Sequence, residues 1–289
     1  MNNLTILIPL YRSARWTQIL RENIASHLNA GSQVILSDKH CHDDTIFKLQ
    51  HEFQCAQLRA FHDDSNEGWV ANINAMIGSV ETDFFRILPH DDSSTARQSG
   101  NLLEAFSYSP DAVVSYGIVK KLQLETNELS YSAPRQHEEE GDNIRWGISA
   151  FGSGAYPGAF KGVVKTMLPG KGRMFIKPTK TSTCSERLWL SGLRMYGKFL
   201  LTEKEMLLKR FYEESTHRQW QREAWERADF ASVLCNYIND MQLEEKRRQA
   251  YCRQVWEGEY SKYLPTQKNQ KNALSDHLVF RDVELKMSV

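Results

Sequence analysis

Phe84-Phe85-Arg86-Ile87-Leu88-Pro89-His90-Asp91-Asp92 is the stretch on which the fold turns. Aromatic and branched residues favour an extended, buried strand, and here a single arginine interrupts them. Proline ends such a strand because it cannot donate to the ladder. Asp91 and Asp92 are therefore expected at the strand's carboxyl end, the edge along which ligands bind in open α/β sheets. Two hard oxygen donors there suit a divalent cation. The plainer alternative is a solvated turn with Asp capping the next helix.

Working outward, strand and helix patterns alternate. Leu4 to Pro9 is a short apolar run, and a helical face follows at Trp16, Ile19, Leu20, Ile24 and Leu28. Val34-Ile35-Leu36 forms a second strand ending at Ser37-Asp38, and Leu58 to Phe61 a third. A helix with Val70, Ile73 and Ile77 leads into the Phe84 strand, and Ala112-Val113-Val114 forms a further strand after it. Such alternation predicts a mostly parallel α/β sheet flanked by helices with right-handed crossovers. Residues 116 to 132 read as strand, turn, strand. Residues 147 to 172 are glycine-rich and predict a mobile loop or a surface shaped for a ligand. A helix is expected from about Thr183 or Ser185 to Gly197, another over 203 to 212, and a helical extension after Thr216.

With 289 residues, 41% hydrophobic and 25% charged, the composition is globular. Lysine plus arginine equals aspartate plus glutamate at 36 each, so net charge implies no strong attraction to nucleic acid or anionic membrane. No window approaches the roughly 18 apolar residues of a spanning helix. Met1-Asn2-Asn3 running into Leu4 reads as a first strand and not as a signal peptide. The five cysteines, at 41, 55, 184, 235 and 252, are odd in number and scattered, which predicts reduced thiols in a cytosolic protein.

Several residues bear chemistry, each with a duller alternative. Asp38 shares the sheet edge with Asp91 and can accept from a uracil N3–H or a ribose hydroxyl; it could equally cap a turn. His40 and His42 lack the second cluster a zinc site needs. His90-Asp91 resembles the His-Asp pair of metal phosphohydrolases, but such pairs normally sit on helices. Asn66, Gly68 and Asn74 place amides and a flexible turn at a helix start, where backbone N–H groups suit phosphate or sugar hydroxyls. Glu186, in the first turn of its helix, is either dipole-stabilised or a general base. Trp220 and Trp225 among Arg218, Arg222 and Arg227 suggest core packing or, failing that, peripheral membrane or partner contact through residues 216–260.

The order of these pieces resembles family 2 glycosyltransferases of the GT-A fold. Ile6-Leu7-Ile8-Pro9-Leu10-Tyr11 looks like the family's first strand and nucleotide-covering turn, and Asp38 matches its base-contacting aspartate. Asn66-Glu67-Gly68 with Asn74 is similar to its Asn-x-Gly, and Leu88-Pro89-His90-Asp91-Asp92 falls at its metal motif. Glu186 with Leu188-Trp189-Leu190 resembles the segment holding the catalytic base. Lys209-Arg210 and Ser215-Thr216-His217 resemble the basic and Ser/His stretch that follows. Pro89 replaces the first Asp of Asp-x-Asp, His40 and Cys41 replace the usual Gly and Ser, and Glu186 is one methylene longer than the usual Asp. The resemblance spans roughly residues 4 to 220. It implies a nucleotide-sugar-binding half (1–115), an acceptor-binding half (116–215) and a helical extension with tail (216–289).

What the resemblance implies for activity is inverting transfer of a sugar, of hexosyl type, from a UDP-sugar or related nucleotide diphosphate sugar. The acceptor would be a carbohydrate, lipid-linked or small-molecule hydroxyl, and Mn2+ or Mg2+ the cofactor. Pro9, Tyr11, Asp38, Asn66, Gly68, Asn74, Asp91, Asp92 and Arg210 would bind the donor. Trp146 and Tyr156 would face the acceptor, Asp91 and His217 would hold the metal, and Glu186 would be the base. A cytoplasmic place, with the inner face of the membrane as the alternative, goes with that reading. A metal phosphohydrolase and a non-catalytic nucleotide- or sugar-binding module are the competing classes.

Overall fold

The computed structural model describes residues 2–38, 43–62, 68–132, 142–153, 158–182, 184–213 and 224–260. Its first half follows the alternation of the sequence. Strand β1 (Leu4–Leu10) is followed by α1 (Thr17–Asn29), β2 (Gln33–Asp38), α2 (Thr45–Glu52), β3 (Leu58–His62), α3 (Gly68–Gly78) and β4 (Phe84–Ile87). These four strands are parallel in the order β3-β2-β1-β4. Leu4, Ile6, Leu7, Ile8, Val34, Ile35 and Leu36 are all shut away from water. Strands buried on both faces read as continuous apolar runs, which is how these two appear in the sequence.

After α4 (Ala96–Glu104) the sheet becomes mixed. β5 (Ala112–Gln123) pairs antiparallel with β6 (Glu128–Tyr131) and with the short β7 (Val163–Lys165), and β7 runs antiparallel to β4. Two antiparallel steps make β5 parallel to β4. Helix α6 (Ser185–Tyr196) then leads into β8 (Lys198–Phe211), which lies parallel to β5 with Lys198 beside Ala112. Because α6 ends where β8 begins, at the amino edge of the sheet, its first turn lies toward the carboxyl edge. Twelve helical residues span about 18 Å, the depth of the sheet.

Two sequence expectations are corrected. Residues 203–212 were expected to be helical, and Lys198–Phe211 is a strand. Its Glu-, Lys- and Leu-rich sequence suits a helix, but β5 offers a long unpaired ladder and tertiary pairing outweighs so weak a local preference. The glycine-rich segment is also not one loop. Its first part is α5 (Asn143–Ser153), where Gly147 lets the helix press on Ser191 and Met195 of α6. Gly158 and Gly162 bracket a 3-10 turn (Ala159–Lys161) pressed onto β5, at Val119 and Ser115. These glycines are there for close approach of backbone.

The helical extension is observed as α7 (Ala224–Asn239) and α8 (Glu245–Tyr260). Phe230, Ala231, Leu234, Tyr237 and Ile238 are buried, so α7 spends its apolar face on the domain. The Tyr237 hydroxyl accepts from the Lys177 N–H at 2.9 Å, and Lys177 Nζ reaches Asp240 at 2.7 Å. Core packing is thus the observed role of this helix, with Trp225 left half-exposed. No helix among the described residues is long and apolar enough to cross a membrane.

A Cβ added at Gly162 would collide with the Ser115 carbonyl oxygen and crowd Tyr116. Gly162→Ala is expected to destabilise the domain by about 1–3 kcal/mol, read as a fall in urea midpoint at unchanged m-value.

Candidate active site at the carboxyl edge of the sheet

The register places the two expected carboxylates. Asp38 ends β2 opposite Leu10 of β1, and Asp91 lies four residues past Ile87, which pairs with Leu7 on the other side of β1. Both therefore flank β1 on one edge, in strands about 10 Å apart. Asp38 is buried, at 1% exposure. Beside it Asn72 of α3 accepts from the Ser37 hydroxyl and donates to the Ser37 carbonyl at 3.4 Å. Pro9 sits at the end of β1, where its carbonyl accepts from the His90 ring. Burial holds that ring's pKa below the usual histidine value, with the Asp91 charge opposing. Tyr11 is exposed on the same rim, with the Arg12 guanidinium 5.4 Å from its ring centroid. Gly68 opens α3 with φ 76, and among the described residues nothing lies within 4 Å of where a Cβ would stand.

Asp91 and Asp92 have different surroundings. Asp91 is half-exposed and accepts a hydrogen bond from the Tyr212 hydroxyl. Burial, and then the Asp91 charge, push that phenol up to about 12, which keeps it a donor. The Arg15 guanidinium lies over both neighbouring rings, 4.3 Å from Tyr212 and 4.5 Å from Trp16. Arg210 donates from Nη1 to the Asp91 carbonyl at 3.0 Å and to Ser93 Oγ at 2.8 Å. Asp92, by contrast, has 0% exposure and is ion-paired with Lys161. Burial raises its pKa, with the Lys161 charge opposing. Asp92 thus anchors the turn from inside. Lys209 completes the group; burial and then Lys161 bring its ammonium down to about 8, against the pull of Asp92 and Asp91.

The turn is pinned from below by Arg86, the residue that interrupts the β4 pattern. Its buried guanidinium donates from Nε to the Lys161 carbonyl at 2.8 Å and from Nη2 to the Met206 carbonyl at 2.9 Å. Nη1 reaches Ser94 Oγ at 2.7 Å and Ser99 Oγ at 2.6 Å. Ser99 bonds His27 Nε2 at 2.9 Å, and His27 Nδ1 bonds the Asn23 carbonyl at 2.8 Å. A carbonyl only accepts, so Nδ1 carries the proton and Nε2 accepts from the Ser99 hydroxyl. Asn23 closes the loop, donating to the Asp92 carbonyl at 2.8 Å and accepting from the Ser94 N–H at 3.0 Å. Ser93 and Leu208 exchange both backbone bonds, at 3.0 and 2.9 Å, which seats the end of β8 on the turn.

Aromatic contacts bring Glu186 to the same region. Trp69 of α3 meets Phe160 edge-on at 6.3 Å, and Phe160 meets Trp189 of α6 at 5.8 Å. Phe160 adjoins Lys161, the partner of Asp92. Glu186 lies three residues before Trp189, on the same helical face and one turn nearer the carboxyl edge. Asn74, in contrast, has both ends of its amide on Ile176, donating to the carbonyl and accepting from the N–H at 2.8 Å each. That amide clamps α3 to the 174–177 segment. Trp146 is half-buried on α5, the helix that packs along the later turns of α6. Asn66, Tyr156, His217 and the His40–His42 stretch lie outside the described residues.

Sequence reasoning passed over Asn23, His27, Asn72 and Lys161. Asn72 and His27 carried a signal, each a polar residue on an apolar helical face. Lys161 carried none, because its partner is 69 positions away.

Among the described residues no three His, Cys, Asp or Glu side chains gather at one point. Asp91 faces the edge, however, and Asp92 Oδ1 has no hydrogen-bond partner among them. A hard cation that takes one carboxylate and completes its shell with substrate oxygens and water fits this arrangement.

No family model matches the sequence, and no curated protein matches it by sequence. Solved structures match the fold. S. aureus TarS 1–349 in complex with UDP-GlcNAc superposes with TM-score 0.64 at 12% identity, over 94% of this chain and 75% of that one. Its complex with UDP gives 0.61 at 12%, over 94% and 74%. A longer S. aureus TarS gives 0.58 at 14%, over 95% of this chain and 46% of that one. The mixed sheet flanked by helices is therefore the fold of these TarS structures.

His27 generates a prediction about the network beneath the turn. Burial, with the Arg86 charge adding, holds its pKa at about 4, against the usual 6.5 of histidine. The folded protein thus binds fewer protons than the unfolded chain in that window. Stability is present above about pH 6.5 and is lost as pH falls toward 4, by on the order of 3 kcal/mol. Urea unfolding between about pH 7 and pH 4.5 should show this slope, and His27→Gln should flatten it by comparison.

Proposed function

We propose that this chain is a glycosyltransferase that moves a sugar from a nucleotide diphosphate sugar, a UDP-sugar in the first instance, to an acceptor hydroxyl with inversion. The observation that carries the reading is Asp38 and Asp91 on one rim of the sheet, either side of β1. The fold supports it: TarS, which shares that fold, has been solved with UDP-GlcNAc and with UDP.

In this reading Asp38, at the buried end of β2, accepts from the base, and Tyr11 and Pro9 cover it. Gly68 lets the backbone at the start of α3 approach the donor. Mn2+ or Mg2+, when bound, would be held by Asp91 and would stabilise charge growing on the departing diphosphate, a role worth several kcal/mol. Arg210 and Lys209 supply fixed positive charge beside the same turn. Tyr212 aims the Asp91 carboxylate. Glu186 takes the proton from the acceptor hydroxyl as that oxygen attacks the anomeric carbon from the face opposite the diphosphate. The bond to the diphosphate breaks as the new one forms, so one displacement inverts the centre and no protein nucleophile is needed. The acceptor would enter over the start of α6, with Trp146 farther out.

Thermal-shift titration with UDP and a panel of UDP-sugars, with and without Mn2+, tests the donor and the metal together. Stabilisation by the nucleotide that grows with Mn2+ is the expected result, and Asp91→Asn should remove the metal-dependent part. Equal shifts in the two proteins would displace the metal from Asp91, and no shift with any nucleotide would sink the reading. Glu186→Gln should keep donor affinity and lose turnover by about 10^2-fold or more. Full turnover in that variant would move the base elsewhere.

A further inference from the structure

Helices α7 and α8 form a pair joined by a short turn, and each brings a cysteine to their seam. Cys235 and Cys252 are separated by 17 positions and are 6% and 8% exposed. Cys235 Sγ is 3.8 Å from the Cys252 carbonyl oxygen, and Cys252 Sγ is 3.8 Å from Asn239 Oδ1, one helical turn past Cys235. The Cys235 thiol thus donates across the seam to the backbone of the other cysteine. Burial alone explains two small apolar side chains. It does not explain why each sulfur reaches across the seam to the helix that carries the other cysteine.

We propose that Cys235 and Cys252 are an oxidisable dithiol, which a peroxide converts into an intramolecular disulfide joining α7 to α8. The two sulfurs are not equivalent. The thiol bond from Cys235 favours the anion at Cys252, and Arg248, one turn earlier on α8, adds to this; Cys235 is held protonated. Trp256 is the other side chain against Cys235. In the first step the Cys252 thiolate attacks one peroxide oxygen, the O–O bond breaks, and the departing hydroxide takes a proton to leave as water. In the second, the Cys235 sulfur attacks the resulting sulfenic sulfur and the S–O bond breaks. The hydroxide leaves with the Cys235 proton as a second water. Two thiols have been oxidised by two electrons and one peroxide reduced. A low-pKa thiol beside a resolving cysteine is the arrangement such chemistry needs.

The consequence lies in what α7 holds. Asp229 accepts from the Lys180 N–H at 2.7 Å, Glu226 from the Thr181 hydroxyl at 3.0 Å, and Tyr237 from the Lys177 N–H at 2.9 Å. A covalent link from α7 to α8 fixes the support of the 177–181 arm that leads into α6. The inference does not depend on the reaction proposed above.

The folded full-length chain carries the test. After brief treatment with hydrogen peroxide, alkylation and tryptic digestion, peptide 228–246 should appear joined to 249–253, two hydrogens lighter than the separate peptides together. Reduction with dithiothreitol should split it. The oxidised protein should melt several degrees higher and return on reduction, because closing a loop restrains the unfolded chain. Cys252→Ala should show neither change, while Cys55→Ala, at an exposed site, should show both. Sulfinic acid at Cys252 with Cys235 still free, or linkage only in urea, would overturn the proposal. So would linkage without any change in melting.

Discussion

Arg86 lies in a strand whose other residues are apolar, and removing its charge from water carries an effective penalty of several kcal/mol. The structure offsets that cost by turning the guanidinium into a junction. Burial pulls its pKa down to about 10, with Asp92 opposing, so it still carries its charge at neutral pH. Each of its nitrogens meets an oxygen from a different part of the chain: the 3-10 turn at Lys161, the second half of β8 at Met206, and the serines of the turn and of α4. A hydrophobic residue here would pack, but it could not dictate where the Asp91–Ser94 turn sits. What the arginine contributes is position, and the candidate site is built on that position.

The charges above the junction follow the same logic. Asp92 is buried and would be costly alone; Lys161 makes it tolerable. Asp91 stays half-exposed, with one hydrogen bond from Tyr212, a bonded backbone carbonyl and two basic side chains, Lys209 and Arg210, arriving from the end of β8. One carboxylate is thus committed to structure while its neighbour remains available to a ligand. A polyanion would enter a region where fixed cations outnumber the accessible acid, and water need not reorganise to receive its charge.

How much of this was legible in the sequence depended on range. β1 to β4 are local patterns, and their continuous apolar runs and proline stop were enough to put Asp38 and Asp91 on one edge. Arg86 could be seen as an anomaly but not explained, since its partners lie as far as 120 positions away. β8 was misread for the converse reason: its helical composition is local, whereas the β5 ladder that overrides it is not. The glycines of 147–162 looked like a loop because sequence cannot distinguish freedom to bend from room for another backbone. Asn74 and Asn72 sit two residues apart on one helix, and only the position of Ile176 and Ser37 shows which amide is spent on scaffold and which stands beside Asp38.

The approach to Glu186 completes the picture of a site held stiffly at its far side. Ser182 and Cys184 have φ of 56 and 55, a region that costs a side-chain-bearing residue roughly 1–2 kcal/mol. Such strain persists only where surrounding contacts over-determine it. They do so here: the Thr179 N–H donates to Ser185 Oγ at 3.1 Å, and the α7 carboxylates of Asp229 and Glu226 hold Lys180 and Thr181. An unstrained entry could begin α6 with many approach angles. This one fixes the first turn, and with it the direction in which Glu186 leaves the helix, by the same device that Arg86 uses across the sheet: buried or half-buried polar groups whose partners leave the chain one way to run.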